Sequence, residues 1–156
     1  LLMMGHQGGF ELVYTQPWGV KILLGALLGT LMFLNVWLII WPNQKTVIAS
    51  ASQVLSGGAA LPEAAAAAAK AGLASRTNTL FSIPMLFFMG AARNVPDGLD
   101  AGVTLWAFWI PALLLVGAIE VNAIKGKMGP MTTVKGVITS GFILTAILYV
   151  LFVVLV

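Results

Sequence analysis

From Trp18 to Trp41 the chain reads WGVKILLGALLGTLMFLNVWLIIW, and between Ile22 and Trp41 the one strongly polar side chain is Asn35. About 20 residues at 1.5 Å each cover a bilayer core of about 30 Å, so the run predicts a membrane span. Trp37 and Trp41 suit the headgroup region, Pro42 lacks a backbone donor, and Lys45 suits lipid phosphate. The span is therefore expected over 18–41. Three more apolar segments follow at 77–92, 101–123 and 132–156. The pattern predicts an all-α polytopic membrane protein: four transmembrane helices in a bundle, occupying 18–156, behind an N-terminal surface segment over 1–17.

The connections carry their own signals. Between the first two spans, Ser56-Gly57-Gly58 marks a break, and QKTVIASASQVL before it has Val47, Ile48, Ala51 and Leu55 at helical spacing. That segment fits a helical continuation bent away at Pro42. After the break, PEAAAAAAKAGLASR is a strong helix former opened by Pro62 and Glu63, which predicts a short Ala-rich extramembrane helix. Ser75, Thr77 and Asn78 offer N-cap oxygens for the second span. Pro84 in its middle frees a carbonyl that Ser82 or a neighbouring helix must satisfy, and a kink is expected. Pro96-Asp97-Gly98 is turn chemistry with Asp100 as a helix cap, and the glycines and proline of Gly126 to Pro130 break the chain again. Gly25 with Gly29, and Gly136 with Gly141, make small-residue faces for helix packing.

Composition sharpens this picture. Hydrophobic residues make up 60% and charged residues 8% of the 156 residues, far from the soluble average of about 25% charged. No basic stripe with stacking aromatics occurs, so nucleic-acid binding is not expected. Cysteine is absent, which excludes disulfides, thiolate metal sites and covalent c-type haem attachment within this sequence. His6 is the single histidine, so two histidines of this sequence cannot hold a haem between them. No metal site and no cofactor of its own is expected; haem or quinone enters only with a partner.

The few charges give an orientation. Lys45, Lys70, Arg76, Lys125, Lys127 and Lys135 fall on one side of a four-span arrangement with Glu63 and Glu120. Lys21 and Arg93 fall on the other with Glu11, Asp97 and Asp100. By the positive-inside bias the first side is cytoplasmic, and both termini face the periplasm of a bacterial inner membrane. Leu1 is not an initiator methionine, so an upstream segment is expected, and an outward N-terminus suits one.

Candidate chemistry is sparse. A carboxylate inside a span suggests an ion or proton route, which makes Glu120 the possible intramembrane polar site; pairing near the interface with Asn122, Lys125 or Lys127 is the plainer expectation. Asn35 is expected to hydrogen-bond between helices. Arg76 and Asn78, with Gln44 and Lys45 across the same connection, form the densest polar cluster. It either clamps helix ends together or binds an anionic headgroup. Trp41 and Asn43 join these as expected lipid or partner contacts. No catalytic residue is identified. The seven methionines, eight phenylalanines and five tryptophans are what membrane spans are built from.

The order NVWLIIWPNQK, an Ala-rich insertion, then ASRTNTLFSIPMLFFMGAA resembles the membrane domain of the urate oxidase N-terminal family. The matching positions are Asn35, Pro42, Asn43, Gln44, Lys45, Asn78 and Pro84, within roughly 25–92. Larger members of that family have further spans ahead of this region, and some end in a c-type cytochrome domain; the Cys-x-x-Cys-His needed there is missing here. Urate oxidation is therefore not carried over. The resemblance implies a membrane module working beside an electron-transfer partner. The expectation is a non-catalytic accessory subunit or anchor of a respiratory or photosynthetic complex, contacting lipids and other integral membrane subunits. A haem- or quinone-binding oxidoreductase component, with Arg76, Asn78 and Glu120 as contacts, is the alternative. A small transporter ranks third.

Overall fold

The computed structural model describes residues 16–95 and 105–156. The expected surface segment with His6, and the turn with its Asp100 cap, fall outside the described residues. The described residues form five α-helices: α1 Pro17–Leu34, α2 Trp41–Leu55, α3 Ala64–Asn94, α4 Leu105–Lys125 and α5 Val134–Leu155. Among the described residues three helical stretches are long and apolar enough to cross a membrane, namely Pro17–Leu55, Trp106–Lys125 and Val134–Leu155.

The first helix does not stop at Trp41. α1 runs into a π-helical segment, Asn35–Ile40, and on into α2 as one stretch of 39 residues. The Trp41 N–H reaches back to the Val36 carbonyl, one residue further than in an α-helix. A proline inside a helix lacks one hydrogen bond and its ring crowds the carbonyl four residues back. The wider π turn just before Pro42 gives that ring room. At about 1.5 Å per residue the stretch is about 58 Å long, more than the ~40–45 Å of a whole bilayer with its headgroups.

Nor is the Ala-rich segment a separate helix. It is the first part of α3, which continues for 31 residues through the expected second span. Ser75, Thr77 and Asn78 are mid-helix, so they cap nothing. The Thr77 and Thr79 hydroxyls instead donate to the Leu73 and Ser75 carbonyls, at 3.1 and 3.2 Å. Alanine's high helix propensity carries the backbone across these polar positions. With Lys70, Arg76, Asn78 and Arg93 on it, α3 is not among the three strongly apolar stretches.

α2 and α3 are joined by a tight reversal. Gly57 has φ +87°, and the Gly57 and Gly58 N–H groups donate to the Val54 and Gln53 carbonyls at 3.0 and 2.9 Å. This is a Schellman C-cap, which needs a residue at ease in the left-handed region. The Leu61 N–H then donates to the Ser50 hydroxyl at 3.0 Å. Chain reversal makes α1 and α2 antiparallel to α3, with Lys21 meeting Val95, Gly25 meeting Met89, Gly29 meeting Met85 and Asn35 meeting Asn78.

α3 touches every other helix. Its Leu80, Phe81 and Phe88 are buried with Val20, Leu24 and Leu28 of α1, Phe108 and Val116 of α4, and Leu148 and Phe152 of α5. Phe152 meets Phe88 and Phe108 edge-on, with centroids 6.5 and 6.0 Å apart. The outer surface is also apolar: Leu38, Trp106, Leu114, Phe142 and Val154 are all more than half exposed. Such a surface suits lipid or a partner subunit, not water.

Candidate functional site

Three helices bring one polar group each to a single point. The Asn35 side-chain N–H group donates to Asn78 Oδ1 at 3.0 Å and to Glu120 Oε2 at 3.1 Å. Asn78 Nδ2 in turn donates to the Met32 carbonyl at 3.0 Å. Asn35 opens the π segment and is 1% exposed, while Asn78 and Glu120 are half-buried. The Asn35 backbone N–H still reaches the Leu31 and Met32 carbonyls, so the α ladder gives way to the π segment at the turn that carries the side-chain bonds. π segments often mark functional positions. Here the segment aims one buried amide at two acceptors on different helices.

Glu120 thus meets Asn35, in place of the expected neighbours on its own helix end. Asn122 is used otherwise: its Nδ2 donates to the Lys127 carbonyl at 3.2 Å, and its Oδ1 accepts from the Lys127 N–H at 3.3 Å. Those two bonds fold the chain back after α4.

The expected cluster of Arg76, Asn78, Gln44 and Lys45 is divided. Arg76 Nη1 donates to the carbonyl of Met131, in the 3₁₀ turn Gly129–Thr132 between α4 and α5. Gln44, Lys45 and Trp41 are exposed, and the Asn43 side chain donates to the Ile39 carbonyl of its own helix at 2.7 Å. Among the described residues singled out in the sequence as polar, Asn35, Asn78 and Glu120 come together.

The small residues differ in what lies beside them. A methyl group on Gly25 would lie 2.5 Å from Met89 Cγ, and one on Gly29 3.5 Å from Met85 Sδ, so this face meets α3. On Gly141 it would lie 3.0 Å from the Leu80 carbonyl and 2.5 Å from Ile83 Cδ1. Leu80 is four residues before Pro84, so its carbonyl is the one the proline leaves free, and Gly141 lets α5 close over it. Ser82 does not serve that carbonyl; its hydroxyl donates to Thr79 at 2.8 Å. At Gly136 the nearest neighbours are Pro130 and Thr133, and its N–H donates to the Thr133 hydroxyl cap at 3.0 Å.

A second polar tie was not legible in the sequence. Lys21, 0% exposed, donates to the Val95 carbonyl at the end of α3 at 2.9 Å and lies 5.0 Å from the centre of the Phe152 ring of α5. The carbonyl end of a helix and an aromatic face both attract a cation. Among the described residues, no three side chains of metal-binding type gather in one place.

A family model, urate oxidase N-terminal, matches residues 9–124, which takes in α1 to α3 and nearly all of α4. No curated protein and no solved structure matches the chain.

Proposed function

The chain belongs to the urate oxidase N-terminal family, and we propose that it is a non-catalytic integral membrane subunit or anchor beside a respiratory or photosynthetic electron-transfer complex. The family's description names an oxidase, which is the reason for placing a redox partner beside it. The observation that carries the non-catalytic part is the use made of Asn35, Asn78 and Glu120: their hydrogen bonds join α1, α3 and α4 to one another. Arg76 likewise ties α3 to the turn before α5.

In this reading four helices cross a bacterial inner membrane, the fourth being the Thr77 to Ala92 part of α3. Lys21 and Trp41 are twenty residues apart, or about 30 Å along the helix, the thickness of a bilayer core. Arg76 and Val95, which meet the two ends of the same slab, are nineteen residues apart. The basic end, with Lys45, Lys125, Lys127 and Lys135, faces the cytoplasm by the positive-inside bias, and both termini face the periplasm. α2 and the alanines of α3 then stand clear of the membrane as a two-helix hairpin. The partner meets the exposed sector of Phe33, Trp37, Leu38 and Trp41 on the first helix.

Purification of the native protein in a mild detergent, with mass-spectrometric identification of what accompanies it and a reduced-minus-oxidised spectrum, tests the proposal. Redox subunits in fixed ratio, and a spectrum that disappears when they are stripped away, are expected. A chromophore retained by the isolated chain would overturn the non-catalytic reading in favour of a haem- or quinone-binding component.

A further inference from the structure

An open cavity of about 460 Å³ lies between α3, α4 and α5, inside the range of about 300–1,000 Å³ typical of ligand-holding cavities. Leu115 and Ile119 of α4 and Leu144 and Ile147 of α5 make its walls apolar. Its polar lining includes Asn122 and Lys127, at the end where α4 stops. That end is a built structure. Both Asn122 bonds fix the Lys127 backbone, Gly129 turns the chain with φ +48°, and Arg76 fastens the following turn to α3 through Met131.

From this geometry we propose that the cavity is a binding site for an anionic phospholipid, one acyl chain lying along α4 and α5 and the phosphate held by Lys127. A lysine at such a place keeps its stem on apolar surface and its ammonium at the interface. Basic pockets between membrane helices hold anionic headgroups for this reason. Charge decides between candidate occupants. Lys127 is the one charged residue of the lining, and the nearest acid on α4, Glu120, already accepts a hydrogen bond from Asn35. An uncharged quinone head would leave this cationic mouth without a counter-ion. The inference rests on the membrane placement proposed above, which thiol labelling at Leu38→Cys and Leu55→Cys tests by itself.

The test uses the purified full chain in mild detergent, titrated with phosphatidylglycerol, phosphatidylcholine or a short-chain ubiquinone while adducts are counted by native mass spectrometry. Phosphatidylglycerol should bind in one-to-one ratio and more tightly than phosphatidylcholine. Lys127→Gln should weaken it about fivefold, as the loss of one interfacial cation implies. Lys125→Gln, at a residue that does not line the cavity, should leave it within twofold. Ala118→Trp, in the cavity wall, should abolish the adduct while the helical circular dichroism stays unchanged. Equal binding of the two lipids, equal loss in both lysine variants, an intact adduct in Ala118→Trp, or preferential binding of the quinone would overturn the proposal.

Discussion

Asn35 Nδ2 lies 3.1 Å from Glu120 Oε2, across 85 positions of sequence, and 3.0 Å from Asn78 Oδ1. One amide therefore links the first helix to α3 and α4 at a single depth. Inter-helix hydrogen bonds in membranes contribute about 0.6 kcal/mol on average and at most about 1.7.

Removing that amide is expected to cost about 1–2 kcal/mol, because Asn35→Leu leaves two half-buried acceptors without their donor. Glu120→Gln retains an acceptor oxygen and is expected to cost less than Glu120→Leu. A double-mutant cycle of Asn35→Leu with Glu120→Leu, read by detergent-induced unfolding, should give a coupling of about 0.5–1 kcal/mol. Zero coupling would show that the bond contributes nothing.

Lys21 is the second tie. Its hydrogen bond to a helix-terminal carbonyl is charge-assisted, a class that contributes about 1.5–3 kcal/mol, and the Phe152 ring adds a cation–π contact. Lys21→Met keeps most of the stem but loses both, and should destabilise the bundle by about 2 kcal/mol. Phe152→Leu removes only the ring and its edge contacts to Phe88 and Phe108. If Lys21→Met melts within a degree of the native chain, the tie is not a stabilising one.

What the sequence revealed and what it hid divide along physical lines. Apolar run length announced helices that can cross a membrane, since that signal is local, whereas what Gly25 and Gly141 lie against is not. Asn35 stood out as the lone polar residue of an apolar run, but its partners lie 43 and 85 positions away. No local pattern reports them. Lys21 counted in the sequence only as a charge of one side, because its burial depends on where α3 and α5 end. The helical continuation past Pro42 was legible from the spacing of Val47, Ile48, Ala51 and Leu55, but the π ladder that precedes the proline was not. The alanines misled: Pro62 and Glu63 gave the start of α3 to within two residues, while Ser75 to Asn78 imitated a second start inside it.

Gly141 and Gly117 make a matched pair of substitutions. Alanine at Gly141 drives a methyl group to 3.0 Å from the Leu80 carbonyl, which is backbone and cannot step aside. Overpacking of this kind costs about 1–3 kcal/mol. At Gly117 a methyl group meets nothing within 4 Å. There alanine should stabilise α4 slightly, by up to about 1 kcal/mol, from helix propensity alone. Thermal unfolding of Gly141→Ala and Gly117→Ala should therefore move in opposite directions. Parallel shifts would mean that α5 does not close over the Leu80 carbonyl.

Cysteine labelling can locate the membrane on the first helix, and the absence of native cysteine makes single-cysteine variants simple to read. Leu38 is 69% exposed and Leu55 88% exposed, so packing within the chain shields neither, and the purified chain in lipid vesicles is the sample. They differ in depth. Leu38 lies within the ~30 Å that separates Lys21 from Trp41, whereas Leu55 is fourteen residues past Trp41, about 20 Å further along the helix. With a membrane-impermeant maleimide, Leu55→Cys should label rapidly from the basic side of the bilayer and Leu38→Cys should label only after detergent is added. Arg93→Cys should label from the opposite side. Rapid labelling of Leu38→Cys in intact vesicles would place the π segment in water and remove the reason for reading Pro42 to Arg76 as a projecting hairpin. Slow labelling of Leu55→Cys would lay that hairpin against the lipid instead.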